Sequence, residues 1–283
     1  MKSYFRGKKF WIIQLAKLVL GAILIYVMLR WFEHKQVYIP SLRVDRSGEL
    51  LERPWEDVYF QVSDGTTLNG WYFPCDEKSR CPNVAVLLCH GNAGNISHRF
   101  GNYAVLLEAG LNVFAFDYRG YGRSHGVPSE EGTYSDAVAA YNWLVEKGFE
   151  KTRIIGLGES LGGGIVSELA IRVPLGGIIV QSSFTSIPDL GAELFPWLPV
   201  RWLSTIRYDT LGKLPEIHVP VMIMHSREDS LIGFGHAEKN YAAANDPKRL
   251  WELVGDHNDT LATNAESYGN GITEFLVLSG LLQ

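Results

Sequence analysis

The chain has 283 residues, enough for one large domain or two small ones, and 46% of them are apolar against 20% charged. That excludes a disordered chain and allows a sizeable buried core. The formal net charge is −5, but four of the 26 basic side chains (Lys2, Arg6, Lys8, Lys9) crowd into the first nine residues, leaving 22 basic against 31 acidic groups, a balance of −9. A body of that sign has no electrostatic reason to bind nucleic acid.

The basic start runs into "FWIIQLAKLVLGAILIYVML", residues 10–29. Twenty helical residues span about 30 Å, the thickness of a bilayer core. Gln14 and Lys17 interrupt its outer part, where a lysine stem can snorkel, and Trp11 and Trp31 stand where interfacial aromatics are expected. The rival readings are a buried amphipathic helix and a cleaved signal peptide, although no small-x-small cleavage site follows. The expected organisation is a basic segment (1–9), a transmembrane anchor (10–32), a tether with Pro40 and Pro54 (33–55) and a body over 56–283. Positive charge is denser before the span than after it. This favours a cytoplasmic amino terminus and a body on the outer, extracytoplasmic side.

Within the body, "DVYFQV" (57–62), a turn at Asp64-Gly65 and "LNGWYF" (68–73) predict an antiparallel hairpin. Cys75 and Cys81 flank the polar "DEKSR" and are either a small disulfide or two thiols. "VAVLLC" (84–89) has the continuous apolarity of a strand covered on both faces, with Cys89 as a core residue. Helix and strand patterns then alternate. They comprise a helix ended by Gly110, strand 111–116, helix 129–148, strand "RIIGL", a helix from Ser160 to about Arg172, and strands 176–181 and 219–225. "GHAEKNYAAA" predicts a helix, "RLWELV" a last strand and 260–279 a final helix. The stretch 184–214, rich in Pro and aromatics and without sustained period, is expected as a short cap insertion. Strand alternating with helix implies a mainly parallel sheet with helices on both faces. No metal-type Cys/His cluster is present, and no metal or organic cofactor is implied.

The glycine-rich stretch "RIIGLGESLGGGIVSEL" (153–169) admits two chemistries. A dinucleotide fingerprint fails because its third position is Leu161, the turn follows about the fifth strand and no acid follows at the required spacing; a P-loop fails for want of Gly-Lys-Ser/Thr. G-x-S-x-G fits as Gly158, Glu159, Ser160, Leu161, Gly162, a strand-to-helix turn that lifts one serine hydroxyl above the sheet. Such a serine needs a base, and the base an orienting acid, in the chain order Ser, Asp, His on loops after late strands. Asp229 in "HSREDSLI" and His257 in "GDHNDT" meet that order. Glu228 neighbours the acid and should point elsewhere; Asp256 and Asp259 flank His257 too closely and are at most supporting groups. His225 is expected to be structural, and His98, His125, His218 and His236 to be surface residues. Two backbone N–H donors are needed for the oxyanion. Leu161 at the start of the helix supplies one, and Asn92 in "CHGNAGN" the other, with Ala93 as a further candidate.

Together "HGNAGN", "FDYRGYGRSHGVPSE", "GESLGG", "HSREDSLI" and "GDHND" resemble the membrane-anchored branch of the α/β-hydrolase superfamily, the Bem46-like proteins and the ABHD13- and ABHD17-type serine hydrolases. The resemblance runs from about residue 56 to the carboxyl end. It implies Ser160 as nucleophile, His257 as general base, Asp229 as its partner, and hydrolysis of esters or thioesters, with lipid or acyl-protein substrates. Asp117 and Arg119 in the loop after the fourth strand are expected to be structural. The sequence departs from the pattern at Glu159, where relatives often carry a neutral or basic residue, and in "LIGFG", where a proline is common. A carboxylate close to His257 would favour its protonated form, and Glu159 is expected to point away. Phe184, Phe195, Trp197 and Trp202 in the cap are the candidates for an acyl pocket, against simple packing over the sheet edge. The expected activity is that of an esterase or thioesterase acting on a lipid-like or acylated small molecule. A peptidase using the same three residues and a non-catalytic membrane-tethered binding protein are the alternatives.

Overall fold

The computed structural model describes residues 2–282, and of residues 2–10 and 12 the backbone alone; the basic side chains expected at 2, 6, 8 and 9 therefore lie outside the described residues. The chain divides into an amino-terminal unit ending at Ile39 and a body beginning at Pro40.

The first unit is one helix, α1 (Lys2–Val37). Within it Ile13–Val37 is long and apolar enough to cross a membrane, and large apolar side chains such as Leu18, Leu24 and Met28 are exposed. These are properties that a membrane span and a signal sequence share. The helix runs past residue 32, because nothing in "FEHKQ" breaks it, so the first five residues of the expected tether are helical. The rest of the tether is not loose. The Asn95 side chain donates to the carbonyls of Ser41 (3.0 Å) and Arg43 (2.7 Å), and the Asp45 amide donates to Ser97 Oγ at 3.0 Å.

The body is built on eight strands: β1 (Glu56–Gln61), β2 (Thr67–Phe73), β3 (Ala85–Cys89), β4 (Asn112–Phe116), β5 (Ile154–Glu159), β6 (Gly177–Gln181), β7 (Val221–Ser226) and β8 (Lys248–Leu253). They lie in the order β8-β7-β6-β5-β3-β4-β2-β1. The expected hairpin β1–β2 is antiparallel, as is β2–β4, and every other pairing is parallel. The central strands are buried at every residue, which is why they read as continuous apolar runs. One face, including Val86, Leu88, Val113, Ile155, Leu157 and Met222, packs with Tyr103, Leu106 and Leu107 of α2 (Phe100–Glu108) and with Ile272, Phe275 and Leu276 of α10 (Ala265–Leu278). On the other face Phe114 stacks on Trp143 of α3 (Glu130–Glu146), and Gly156 lies against Val166 of α4 (Leu161–Arg172). The chain is thus an α/β sheet with helices on both faces, as the alternation of patterns implied.

The helix expected at "GHAEKNYAAA" is α8 (Gly235–Ala243). Two other expected elements differ in detail. The final helix is two pieces, α9 (Thr260–Thr263) and α10, because Asn264 leaves the helical region (φ −154°) and its side chain caps the Ser267 amide. The cap stretch, with no sustained period, holds three short helices, α5 (Ile187–Leu194), α6 (Val200–Leu203) and α7 (Thr210–Lys213). Ser186 and Asp209 cap α5 and α7.

Between β4 and α3 the loop is fixed by a buried ion pair. Asp136 accepts from Arg119 Nε (3.0 Å), Nη2 (2.8 Å) and the Arg119 amide (2.9 Å), and Arg119 Nη1 reaches Asp64 at 3.0 Å. Asp136→Ala leaves the guanidinium half-matched. It should cost about 3 kcal/mol or more, seen as a fall of roughly 6–12 °C in the melting temperature by calorimetry.

Candidate active site

The carboxyl ends of β3 and β5 lie side by side, Cys89 opposite Gly158. The chain leaves β3 toward β4 on one side and leaves β5 toward β6 on the other. At such a switch point the two loops part and leave a crevice above the sheet.

Ser160 turns β5 into α4 with φ +53° and ψ −111°, a left-handed conformation that L side chains rarely adopt. The turn is held from three sides. The Ser160 amide donates to Gln181 O (2.9 Å), and its carbonyl accepts from the Gly163 amide (3.0 Å) and Ser183 Oγ (2.7 Å). The flanking glycines are required by close approach. A Cβ on Gly158 would run into the Gly162 carbonyl, and one on Gly162 into the Cys89 carbonyl of the neighbouring strand. Leu161, the first residue of α4, has no carbonyl a turn earlier in its own helix to receive its N–H.

His257 and Asp229 come to this serine from loops after β8 and β7. His257 Nδ1 lies 2.7 Å from Asp229 Oδ2, and His257 Nε2 lies 3.3 Å from Ser160 Oγ. A carboxylate only accepts, so Nδ1 carries the proton and Nε2 presents a lone pair to the hydroxyl. The other oxygen of Asp229 accepts from the amides of Leu231 (3.0 Å) and Ile232 (2.7 Å). Burial pushes the Asp229 carboxyl up, but hydrogen bonds from His225, His257 and the Ile232 amide, with the His257 charge, outweigh it and hold the group well below the usual carboxylate range.

His225 was expected to be merely structural. Its Nε2–H donates to Ile232 O at 2.7 Å and lies 3.3 Å from Asp229 Oδ2, so it braces the acid. Its position four residues before Asp229 in "HSRED" is the signal that could have found it. Asp256 fills the supporting place considered for it, accepting from the amides of Ser230 and His257, both at 2.8 Å. Glu228 points away from the histidine ring, as expected, and accepts from the Gly255 amide at 2.8 Å. Two expected surface histidines are engaged. His236 is buried, accepting from the Thr185 amide (3.0 Å) and meeting Glu193 (3.1 Å), and His98 meets Asp45 at 3.0 Å. His125 and His218 are exposed.

Glu159 pairs with Arg99, Nη1 to Oε1 at 3.6 Å. Asn92 is half-buried in the loop that passes over the elbow: the α-carbon of Gly91 is close enough that an added Cβ would lie 3.6 Å from Ser160 Cβ. Of the four cap aromatics, Phe184 is buried and Phe195 half-buried, edge-on to Trp197 with 6.3 Å between ring centres. Trp197, in the turn between α5 and α6, and Trp202, on α6, are 76% and 91% exposed, so neither ring is enclosed by the cap. Cys75, Cys81 and Cys89 are free thiols, and burial pushes the Cys81 thiol up.

The model of the alpha/beta hydrolase fold matches residues 84–283, and the chain belongs to that family of hydrolases. It is 34% identical over 274 residues to an uncharacterized protein of Mycobacterium tuberculosis, covering 96% of each chain. It is 33% identical over 201 residues to the lysophosphatidylserine lipase ABHD12 of Danio rerio, covering 64% of this chain and 51% of that one. Among solved structures, an esterase from Pyrococcus furiosus shares the fold with a TM-score of 0.72 at 23% identity, over 85% of this chain and 96% of that one.

The depressed Asp229 carboxyl sets a pH dependence. Its contribution to stability is fully present above the unfolded value near 4 and is lost as pH falls through the lower folded value. The stability gap between wild type and Asp229→Asn should therefore be widest near neutrality and narrow below about pH 4, read from denaturant melts across pH.

Proposed function

We propose that the protein is a membrane-anchored serine hydrolase that cleaves carboxylic esters or thioesters of a lipid-like or acylated substrate. One observation carries the reading: Ser160 Oγ, His257 and Asp229 form a continuous chain with contacts of 3.3 and 2.7 Å beyond the carboxyl ends of β5, β7 and β8.

In this mechanism Ser160 Oγ attacks the substrate carbonyl while its proton passes to His257 Nε2. Asp229 stabilises the imidazolium. The amides of Leu161 and Asn92 receive the negative oxygen, the first with the help of the α4 dipole. Collapse expels the alcohol or thiol, which takes the proton from His257, and leaves an ester on Ser160. Water then repeats the sequence, His257 taking its proton and returning it to Ser160 Oγ, and releases the acid.

The lipid-like substrate class is supported by the likeness to a lysophosphatidylserine lipase and by an apolar helix of membrane-crossing length in the same chain. The five sequence motifs favour the Bem46-like branch of the family. The crowding of Lys2, Arg6, Lys8 and Lys9 before the span favours a cytoplasmic amino terminus and an extracytoplasmic body.

A fluorophosphonate probe should label the wild type and not Ser160→Ala, and Ser160→Ala and His257→Ala should each lower ester turnover about 10⁴-fold or more. A folded wild type that takes no label would favour the binding-protein alternative. On p-nitrophenyl esters running from acetyl to palmitoyl, kcat/KM should rise with chain length; a flat series, or a preference for peptide amides, would remove the lipid assignment. Protease added outside intact cells should cut the body if it is extracytoplasmic.

A further inference from the structure

The segment "FDYRGYGRS" plays no part in the mechanism above, and neither does Arg99. Both converge on the loop that carries Asn92. Four consecutive carbonyls of that loop each accept from a dedicated side chain. His90 O accepts from Tyr118 OH (2.8 Å), Gly91 O from His90 Nδ1 (2.7 Å), Asn92 O from Tyr121 OH (2.8 Å) and Ala93 O from Arg99 Nη2 (2.6 Å). Because Gly91 O only accepts, His90 Nδ1 carries a proton.

The donors are themselves held. Tyr118 and Tyr121 are fully buried and pack edge to face at 5.7 Å, and both contact the His90 ring, at 4.4 and 5.4 Å between centres. Those two rings hold the His90 imidazole, and Arg99 Nη1 faces Glu159 at 3.6 Å. Burial pushes the Tyr118 phenol well up, so it stays a donor.

A trans peptide is planar, so fixing one carbonyl fixes the next residue's N–H in the opposite direction. The grip on Gly91 O sets the direction of the Asn92 N–H, and the grip on Asn92 O sets that of Ala93. A hydrogen bond to the carbonyl also polarises the N–H at the other end of the same peptide. An oxyanion donor that needs no reorganisation during reaction is worth more than one that must be ordered. We propose that Tyr118, Tyr121, His90 and Arg99 are positioning residues that pre-orient the oxyanion loop, with Glu159 as the strut that ties Arg99 to the nucleophile elbow. This rests on the serine-hydrolase reading above and gives Glu159 a place in it.

Tyr121→Phe removes the grip on Asn92 O, which holds the peptide beside the Asn92 donor and directs the Ala93 N–H, and keeps the ring. It should lower kcat about tenfold or more with KM changed by no more than about twofold, since the loss falls on the transition state. The affinity of a boronic acid, which forms a tetrahedral adduct on the serine, should fall in parallel with kcat/KM, while the melting temperature stays near wild type. Arg99→Met should behave likewise and Arg99→Lys should recover part of the rate, so that a poorly folded Tyr121→Phe still leaves a test. Folded variants with wild-type kcat, or with a raised KM and unchanged kcat, would overturn the proposal. Absence of Ser160-dependent turnover in the wild type would instead sink the hydrolytic reading itself, and this one with it.

Discussion

The body of the protein is organised around a single strained residue. Ser160 has to sit at positive φ for β5 to reverse into α4 within one step, and a non-glycine residue there costs about 1–3 kcal/mol and persists only where its surroundings over-determine it. They do so here through the hydrogen bond from the Ser160 amide to the Gln181 carbonyl of β6 and the one from the Ser183 hydroxyl to the Ser160 carbonyl. The constraint spreads outward. Gly162 has to pass against the Cys89 carbonyl, so the elbow is packed onto the end of β3, and the loop leaving β3 is brought over the serine. The loop that carries Asn92 and the turn at Ser160 are neighbours because Gly162 lets two backbones touch.

The other half of the site is assembled by loop-to-loop contacts. Asp229 and His257 stand 28 residues apart in sequence, after adjacent parallel strands. Their loops are stitched by Glu228 to the Gly255 amide and by Ser230 to Asp256, so the histidine is delivered to the acid by backbone contacts on either side of it. The Asp229 carboxylate is satisfied by two amides and flanked by two imidazoles, and stays ionised in a site that would otherwise favour its neutral form. His225, which sequence reading sets aside as structural, is one contact away from Asp229.

Much of this was legible beforehand. Buried parallel strands announce themselves by unbroken apolar runs, and G-x-S-x-G between such a strand and a helix has few other physical meanings. Local signals failed where geometry depends on contacts distant in sequence. The cap has no period because its helices are four to eight residues long and held by caps at Ser186 and Asp209. Trp197 and Trp202 looked like pocket residues by composition and face solvent. His236 looked exposed on a polar helix and is buried against Thr185.

By itself, then, the sequence determined the alternation of strand and helix, the apolar amino-terminal helix, the elbow with its glycines, and the order of serine, acid and histidine, because each of these is written in neighbouring residues or in chain order. Only the tertiary structure decided which groups brace them. Whether Glu159 meets His257 or Arg99, whether His225 touches Asp229, and whether four side chains grip successive carbonyls of one loop all depend on the ångström-scale placement of residues that lie on different elements. Those distances are set by sheet order and packing, to which a local pattern carries no reference.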